Sequence, residues 1–201
     1  MKSLKRILVI LAATLAVAAM STQSFAGMKL KLASLAPEKS TWTKYLKKMA
    51  KELEQKTGGE ITVELFVGGI QGDEKEVIEK VKTGQIHMAA ITAVGLGKIV
   101  PDALIFQVPG LYGSPAKMDK VRNAVSPDIE AKAEAEGFKL LGWSDVGPNY
   151  YFTNNPVTKP SDLKAAKMWV WTDDPIAQSI VRNAGASGRP MGVPSVTAAL
   201  A

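Results

Sequence analysis

One histidine, no cysteine and the adjacent acids Asp173 and Asp174 head a short inventory of groups that could do chemistry in this chain of 201 residues. His87 lies in an apolar run, Ile86 to Ile91, and a lone histidine in such a strand is more often structural than catalytic. One histidine without cysteine cannot build a transition-metal cluster, although carboxylates alone could take calcium. Asp173 and Asp174 could serve as paired acids. Asp174 directly precedes Pro175, however, and an acid before proline at a helix start reads better as a cap. Gly68, Gly69 and Gly72 are not followed by Gly-Lys-Ser/Thr, so they read as a turn rather than a phosphate loop. No convergent acid and base emerge, and no cofactor or metal is expected; the chain does not read as an enzyme.

The aromatic content points elsewhere. Trp143, Tyr150, Tyr151, Phe152, Trp169 and Trp171 crowd one stretch of the sequence. Trp143 and Phe152 read as core. Trp169 and Trp171 are two apart on an extended segment and therefore point to one side. Two readings stay open for them, a packed core or the wall of an apolar ligand pocket.

The elements that must position these groups alternate. Lys29 to Ala33 reads as a strand. Ser40-Thr41 starts a helix with Trp42, Tyr45, Leu46, Met49 and Leu53 on one face, stopped at Thr57-Gly58-Gly59. Ile61 to Val67 reads as a strand, Asp73 as the cap of a helix carrying Val77, Ile78 and Val81, and Ile86 to Ile91 as a short buried strand. Thr92 to Lys98 reads as a glycine-rich loop. Ser114-Pro115 opens a long helix reaching Glu136, closed by Gly137. Phe138 to Trp143 reads as a strand and Tyr150 to Thr153 as extended. A helical turn follows at Pro160-Ser161-Asp162, then a strand from Lys167 to Trp171. Last comes a helix from Asp174-Pro175 with Ile176, Ile180 and Val181 inward. Strands alternating with helices predict an α/β fold with a mostly parallel sheet, whose ligands sit beyond the carboxyl ends of the strands. That directs attention to the loops at 34–39, 92–97, 144–151 and 171–174.

Residues 1–26 read as a secretory signal peptide: Lys2, Lys5 and Arg6 precede an apolar run from Ile7 to Met20, and Ser24-Phe25-Ala26 offers small residues for cleavage before Gly27. An uncleaved anchor is the rival reading, and the apolar run is short for it. With the leader removed, 175 residues remain, carrying 22 basic against 19 acidic side chains. That excess is too small to mark a nucleic-acid binder. An exported chain without disulfides must rely on its core.

The pieces Leu30 to Ala33, Lys56 to Ile61, Gly72-Asp73-Glu74, Val81 to Met88, Gln107 to Tyr112, Glu136 to Trp143 and above all Lys159 to Met168 occur in an order and spacing that resembles one family. It is the solute-binding subunit of tripartite ATP-independent periplasmic (TRAP) transporters, the DctP type. The resemblance implies a two-lobed periplasmic binding protein, type II-like, with residues 27–148 as a nearly complete first α/β lobe and 149–201 as a partial second lobe. It implies a periplasmic protein, not itself membrane-spanning after signal cleavage. Such a protein closes on a small solute and hands it to membrane permease subunits driven by an ion gradient, with no nucleic-acid partner.

Two departures matter. The family pattern after Leu163 carries an arginine that pairs with a substrate carboxylate; Trp169 stands there instead. A second arginine of acid-binding members corresponds to Asn149. A hydrogen bond to a charged group contributes about 1.5–3 kcal/mol, and an enclosed carboxylate without its partner costs several kcal/mol. The expected ligand is therefore neutral or largely apolar. It would be held against Trp169, Tyr151 and Trp171, with Asn149 and Thr92 supplying hydrogen bonds; Lys98 or Lys167 remains as a substitute cation. The chain also reads as truncated within the second lobe. The alternatives are a periplasmic sensing module for a membrane kinase and the receptor of an ATP-driven importer.

Overall fold

The computed structural model describes residues 27–200, so the expected signal peptide lies outside the described residues. Strand β1 (Met28–Ser34) pairs in parallel with β2 (Ile61–Phe66) and with β3 (Met88–Ala90), giving a three-stranded sheet of order β2-β1-β3. The register sets Met28 against Ile61 through Ala33 against Phe66, and Leu32 against Met88 through Ser34 against Ala90. A second parallel sheet joins β4 (Met168–Trp171) and β5 (Gly188–Met191), Met168 opposite Gly188 and Trp171 opposite Met191. Parallel neighbours need crossover helices, and the chain supplies them. Helix α1 (Thr41–Lys56) lies between β1 and β2, α2 (Glu74–Lys82) between β2 and β3, and α5 (Pro175–Asn183) between β4 and β5.

The starts of these helices follow the capping chemistry in the sequence. Ser40, Asp73, Ser114 and Asp174 each accept a first-turn N–H with their side chains, and α4 (Pro115–Ala135) runs to within a residue of its expected end. Helix α6 (Val193–Leu200) closes the described chain. In the motif from Lys159 to Met168, Asp162 accepts from the Thr158 N–H (3.0 Å), the Thr158 hydroxyl (2.9 Å) and the Lys159 N–H (3.2 Å). These bonds hold its carboxyl below the usual range and fix the 3₁₀ turn Pro160–Ala165.

Among the described residues, three apolar clusters stand out. Ala33, Val77 and Ile86 join β1 to α2. Leu96, Val100, Ala103, Ile129 and Ala133 gather α3 (Ala93–Ile99), the 3₁₀ turn Pro101–Gln107 and α4. Leu163, Met168, Val170 and Val181 back the two-stranded sheet.

Several expectations are corrected. Residues 92–98 form not a loop but a capped helix, α3. Its glycines serve close approach rather than freedom: a Cβ at Gly95 would lie 2.6 Å from Glu74 Oε2, and one at Gly97 2.7 Å from Leu104 Cγ. Residues 138–141 alternate and the pattern then slips by one, so that Phe138, Leu140 and Trp143 turn toward the α3–α4 cluster. They lack a ladder partner among the described residues and so are not a strand; the Phe138 N–H is taken by the Ala133 carbonyl at the end of α4. Trp143 packs edge-on against Phe106, centroids 5.5 Å apart, and its N–H donates to Glu130 (3.3 Å). Phe152, expected in the core, is 94% exposed. Tyr45 is exposed because it sits roughly 70° around the helix from the face of Trp42, Leu46, Met49 and Leu53. Thr43 is buried instead, its hydroxyl donating to the Pro37 carbonyl (2.9 Å).

Candidate ligand site

The carboxyl ends of both sheets meet through polar side chains. Asp73, reached from the end of β2 by the Gly68–Gly72 turn, caps α2: its Oδ1 accepts the Glu74 N–H at 2.8 Å. Its Oδ2 faces the other sheet and accepts two donors there, the Trp171 indole N–H (2.9 Å) and the Val193 N–H (2.9 Å). Asp73 is buried, and a Cβ at Gly192 would approach its Oδ2 to 2.7 Å, so glycine is what allows the backbone to lie this close.

Beside it, Glu74 is only 2% exposed. Its carboxylate accepts the Thr92 N–H, the Thr92 hydroxyl and the Gly95 N–H, each at 2.8 Å. One acid thus holds the entry to α3 from the neighbouring helix. Burial pushes the Glu74 carboxyl up, while the bonds from Thr92 and Gly95 oppose that rise and the Asp73 charge adds to it.

Two further contacts span the sheets. Lys98 on α3 pairs with Asp173 at 3.5 Å. The Gln107 amide, oriented by its neighbours, donates to Asp174 Oδ2 (3.1 Å) and accepts from the Val94 N–H (3.1 Å). Asp174 Oδ1 meanwhile caps α5 through the Ile176 and Ala177 N–H groups. The cap reading of Asp174 thus holds. His87 stands at the entrance to β3, exposed, with Nδ1 accepting the Lys31 N–H at 2.9 Å, a role in the sheet rather than in the site. Among the described residues no group of three or more His, Cys, Asp or Glu side chains could hold a metal ion.

The expected ligand residues separate into two groups. Met168 and Val170 are buried while Trp169 and Trp171 alternate with them on the opposite side of β4. Trp169 is 40% exposed, and its N–H donates to the Met191 carbonyl of β5 (3.0 Å). Trp171 reaches Asp73, whose neighbour Glu74 holds Thr92, so Thr92 and Trp171 lie at the junction of the sheets, while Trp169 is tied within its own sheet. The Thr92 hydroxyl donates to Glu74 and accepts from the Val94 N–H (3.1 Å), which leaves it one lone pair and no proton for a guest. Asn149 and Tyr151 are exposed in the stretch 138–153, which has no helix or strand, and among the described residues no hydrogen bond joins them to this junction. Sequence reasoning missed Asp73 and Glu74 as site groups. The signal available was the Gly72-Asp73-Glu74 motif itself, in which Asp73 was legible as a cap but the burial of Glu74 was not.

The arrangement joins the two sheets through Asp73, Trp171 and Val193 and leaves Trp169 40% exposed beside β5. The hydroxyl–carboxylate pair there, Thr92 with the buried Glu74, is spent on holding the start of α3. Residues 32–201 match the family model for bacterial extracellular solute-binding proteins of family 7, DctP. A solute-binding protein of Roseobacter denitrificans is 32% identical over 197 residues, covering 94% of this chain and 59% of its own length. The 2,3-diketo-L-gulonate-binding periplasmic protein of Escherichia coli is 30% identical over 159 residues, 75% of this chain and 47% of its own. A crystal structure of a TRAP periplasmic solute-binding protein from R. denitrificans with bound L-galactonate superposes with a TM-score of 0.79 at 29% identity, covering 86% of this chain and 58% of that one. The chain thus spans about half the length of the relatives it matches, 44% and 41% for two others.

Proposed function

Since the chain belongs to the DctP family, family 7 of the bacterial extracellular solute-binding proteins, we propose that it captures a small solute outside the cytoplasm. It then delivers that solute to the membrane subunits of an ion-gradient-driven TRAP permease, itself catalysing nothing. Residues 1–26 are read as the export signal and the periplasm as the destination; relatives carry the word periplasmic in their names. Residues 27–148 are read as one lobe and 149–201 as part of the second. That division is supported by two sheets that share no strand, one within residues 28–90 and the other within 168–191.

The ligand is read as neutral or largely apolar, gripped by Trp169 and Trp171 with Thr92 accepting one hydrogen bond; Asn149 and Tyr151 are retained as contacts from the segment that faces solvent. The observation that carries this reading is the indole at position 169, where the resemblance calls for a carboxylate-binding arginine. Of the two substitute cations, Lys98 is already paired with Asp173, and Lys167 is removed with it in the test below. Relatives do bind sugar acids, D-glucuronate in a Citrobacter koseri protein for example, so the contrast is testable. Calorimetry with D-glucuronate, methyl β-D-glucopyranoside and 1-naphthol is expected to give heat with a neutral compound and none with glucuronate. Tight glucuronate binding that survives the double variant Lys98→Ala, Lys167→Ala overturns the reading.

A further inference from the structure

Both indoles on β4 have spent their single donor. An indole offers one N–H and no acceptor. That of Trp169 is held by the Met191 carbonyl of the neighbouring strand, and that of Trp171 by Asp73 Oδ2 across the seam, 98 residues away in sequence. The two anchors differ in kind. The carbonyl belongs to the same two-stranded sheet and moves with it. Asp73 belongs to the other sheet's connection. It is buried and pinned twice more, by the Glu74 N–H on Oδ1 and the Val193 N–H on Oδ2. Gly192 lets the backbone that carries the Val193 N–H lie close to it, for a Cβ there would stand 2.7 Å from Asp73 Oδ2. An indole turns about two side-chain torsions, and tying its N–H to a fixed atom removes that freedom.

We propose that Asp73 is a positioning residue for the solute site: by accepting the Trp171 N–H it sets the plane of that ring, so that Trp171 and Trp169 present only π faces and C–H edges to a guest. The inference rests on the reading above that these rings line the site, and it narrows the guest to a class. Rings without free donors recognise a flat apolar face, either an aromatic ring or the C–H face of a pyranose, and offer an anion nothing. The ring plane also depends on how the two sheets are placed, because its anchor belongs to the sheet that does not carry it.

The test uses the chain labelled with ¹⁵N-tryptophan, in which Trp171→Phe assigns the resonance. The Trp171 indole proton is expected to exchange with solvent at least tenfold faster in Asp73→Asn than in wild type, with Trp169 unchanged. Asparagine keeps the shape but turns one acceptor oxygen into a donor. Equal exchange rates in the two proteins overturn the proposal, as does a wild-type Trp171 proton exchanging as fast as free indole, a result independent of whether the variant folds. In a second arm, 1-naphthol is titrated. Asp73→Asn and Trp171→Phe are each expected to lower its affinity at least fivefold, and the double variant no further than Trp171→Phe alone; additive losses, or full affinity in Trp171→Phe, overturn the positioning role. If 1-naphthol and methyl β-D-glucopyranoside both fail to bind wild type while the exchange result stands, the ligand reading falls and the Asp73 anchor remains.

Discussion

Replacing Glu74 by alanine removes the acceptor for three donors at once, each 2.8 Å from its carboxylate. The Thr92 hydroxyl can turn away, but the Thr92 and Gly95 amides cannot. A buried N–H left without a partner costs about 1–3 kcal/mol, so two of them cost about 2–6 kcal/mol. Against this stands relief, because the carboxylate is a charge held out of water and its removal returns part of that cost. The net expectation is a loss of about 2–4 kcal/mol, set against a total of about 5–15 kcal/mol for an ordinary domain. With a urea dependence of about 1–3 kcal/mol per molar, the unfolding midpoint followed by circular dichroism should fall by about 1–2 M. Glu74→Gln keeps the shape, one acceptor and no charge, and should fall between alanine and wild type. The pH dependence carries a sign. Burial raises the folded-state value of Glu74 above 4.5, so the folded state holds more protons than the unfolded chain between those two values. The contribution of this group to stability is therefore present below 4.5 and lost as pH rises through the raised value. The wild-type advantage over Glu74→Gln should grow as pH falls through that window. Midpoints of wild type and Glu74→Ala within 0.5 M of each other (about 1 kcal/mol) would refute the reasoning.

Gly188→Ala should lower the melting temperature, because the new Cβ would lie 2.4 Å from Val170 Cγ2 in the paired strand; overpacking of this kind costs about 1–3 kcal/mol. Gly84→Ala, with open space around it but φ at 72°, should cost about 1–2 kcal/mol from backbone strain alone, and the two are compared by calorimetric melting. Ile129→Ala, at a 2% exposed position facing α3 from α4, should cost about 2–5 kcal/mol in urea titration through the cavity it leaves. Trp169→Arg should introduce D-glucuronate binding measurable by calorimetry, since each bond to a carboxylate contributes about 1.5–3 kcal/mol; no gain in affinity would mean that position 169 does not face the solute.

The elements built on local signals were legible in the sequence. Ser40, Asp73, Ser114 and Asp174 announce helix starts because capping depends on a few neighbouring atoms, and the alternation of Met168 to Trp171 survives because one side packs on Leu163 and Val181. What depends on distant partners was not legible. Residues 138–143 carry the pattern of a strand and find no strand to pair with. Gly95 and Gly97 look like loop residues until Glu74 and Leu104 are seen to press against them. The site divides in the same way. The shared side of Trp169 and Trp171 was legible because they stand two apart on one extended segment. Glu74 and Asp73 were not, because nothing local distinguishes a buried acid from the exposed Glu76 and Glu79 of the same helix.

The bonds at Asp73 also order events in time. Pairing β1 with β2 closes a loop of 33 residues, whereas Val193 reaches Asp73 across 120. Loop-closure entropy rises as about (3/2)RT ln n, which makes the longer closure costlier by about 1 kcal/mol before any contact rewards it. Each sheet can therefore assemble on its own while the seam is still open, and a refolding chain regains its two halves before it regains the join between them.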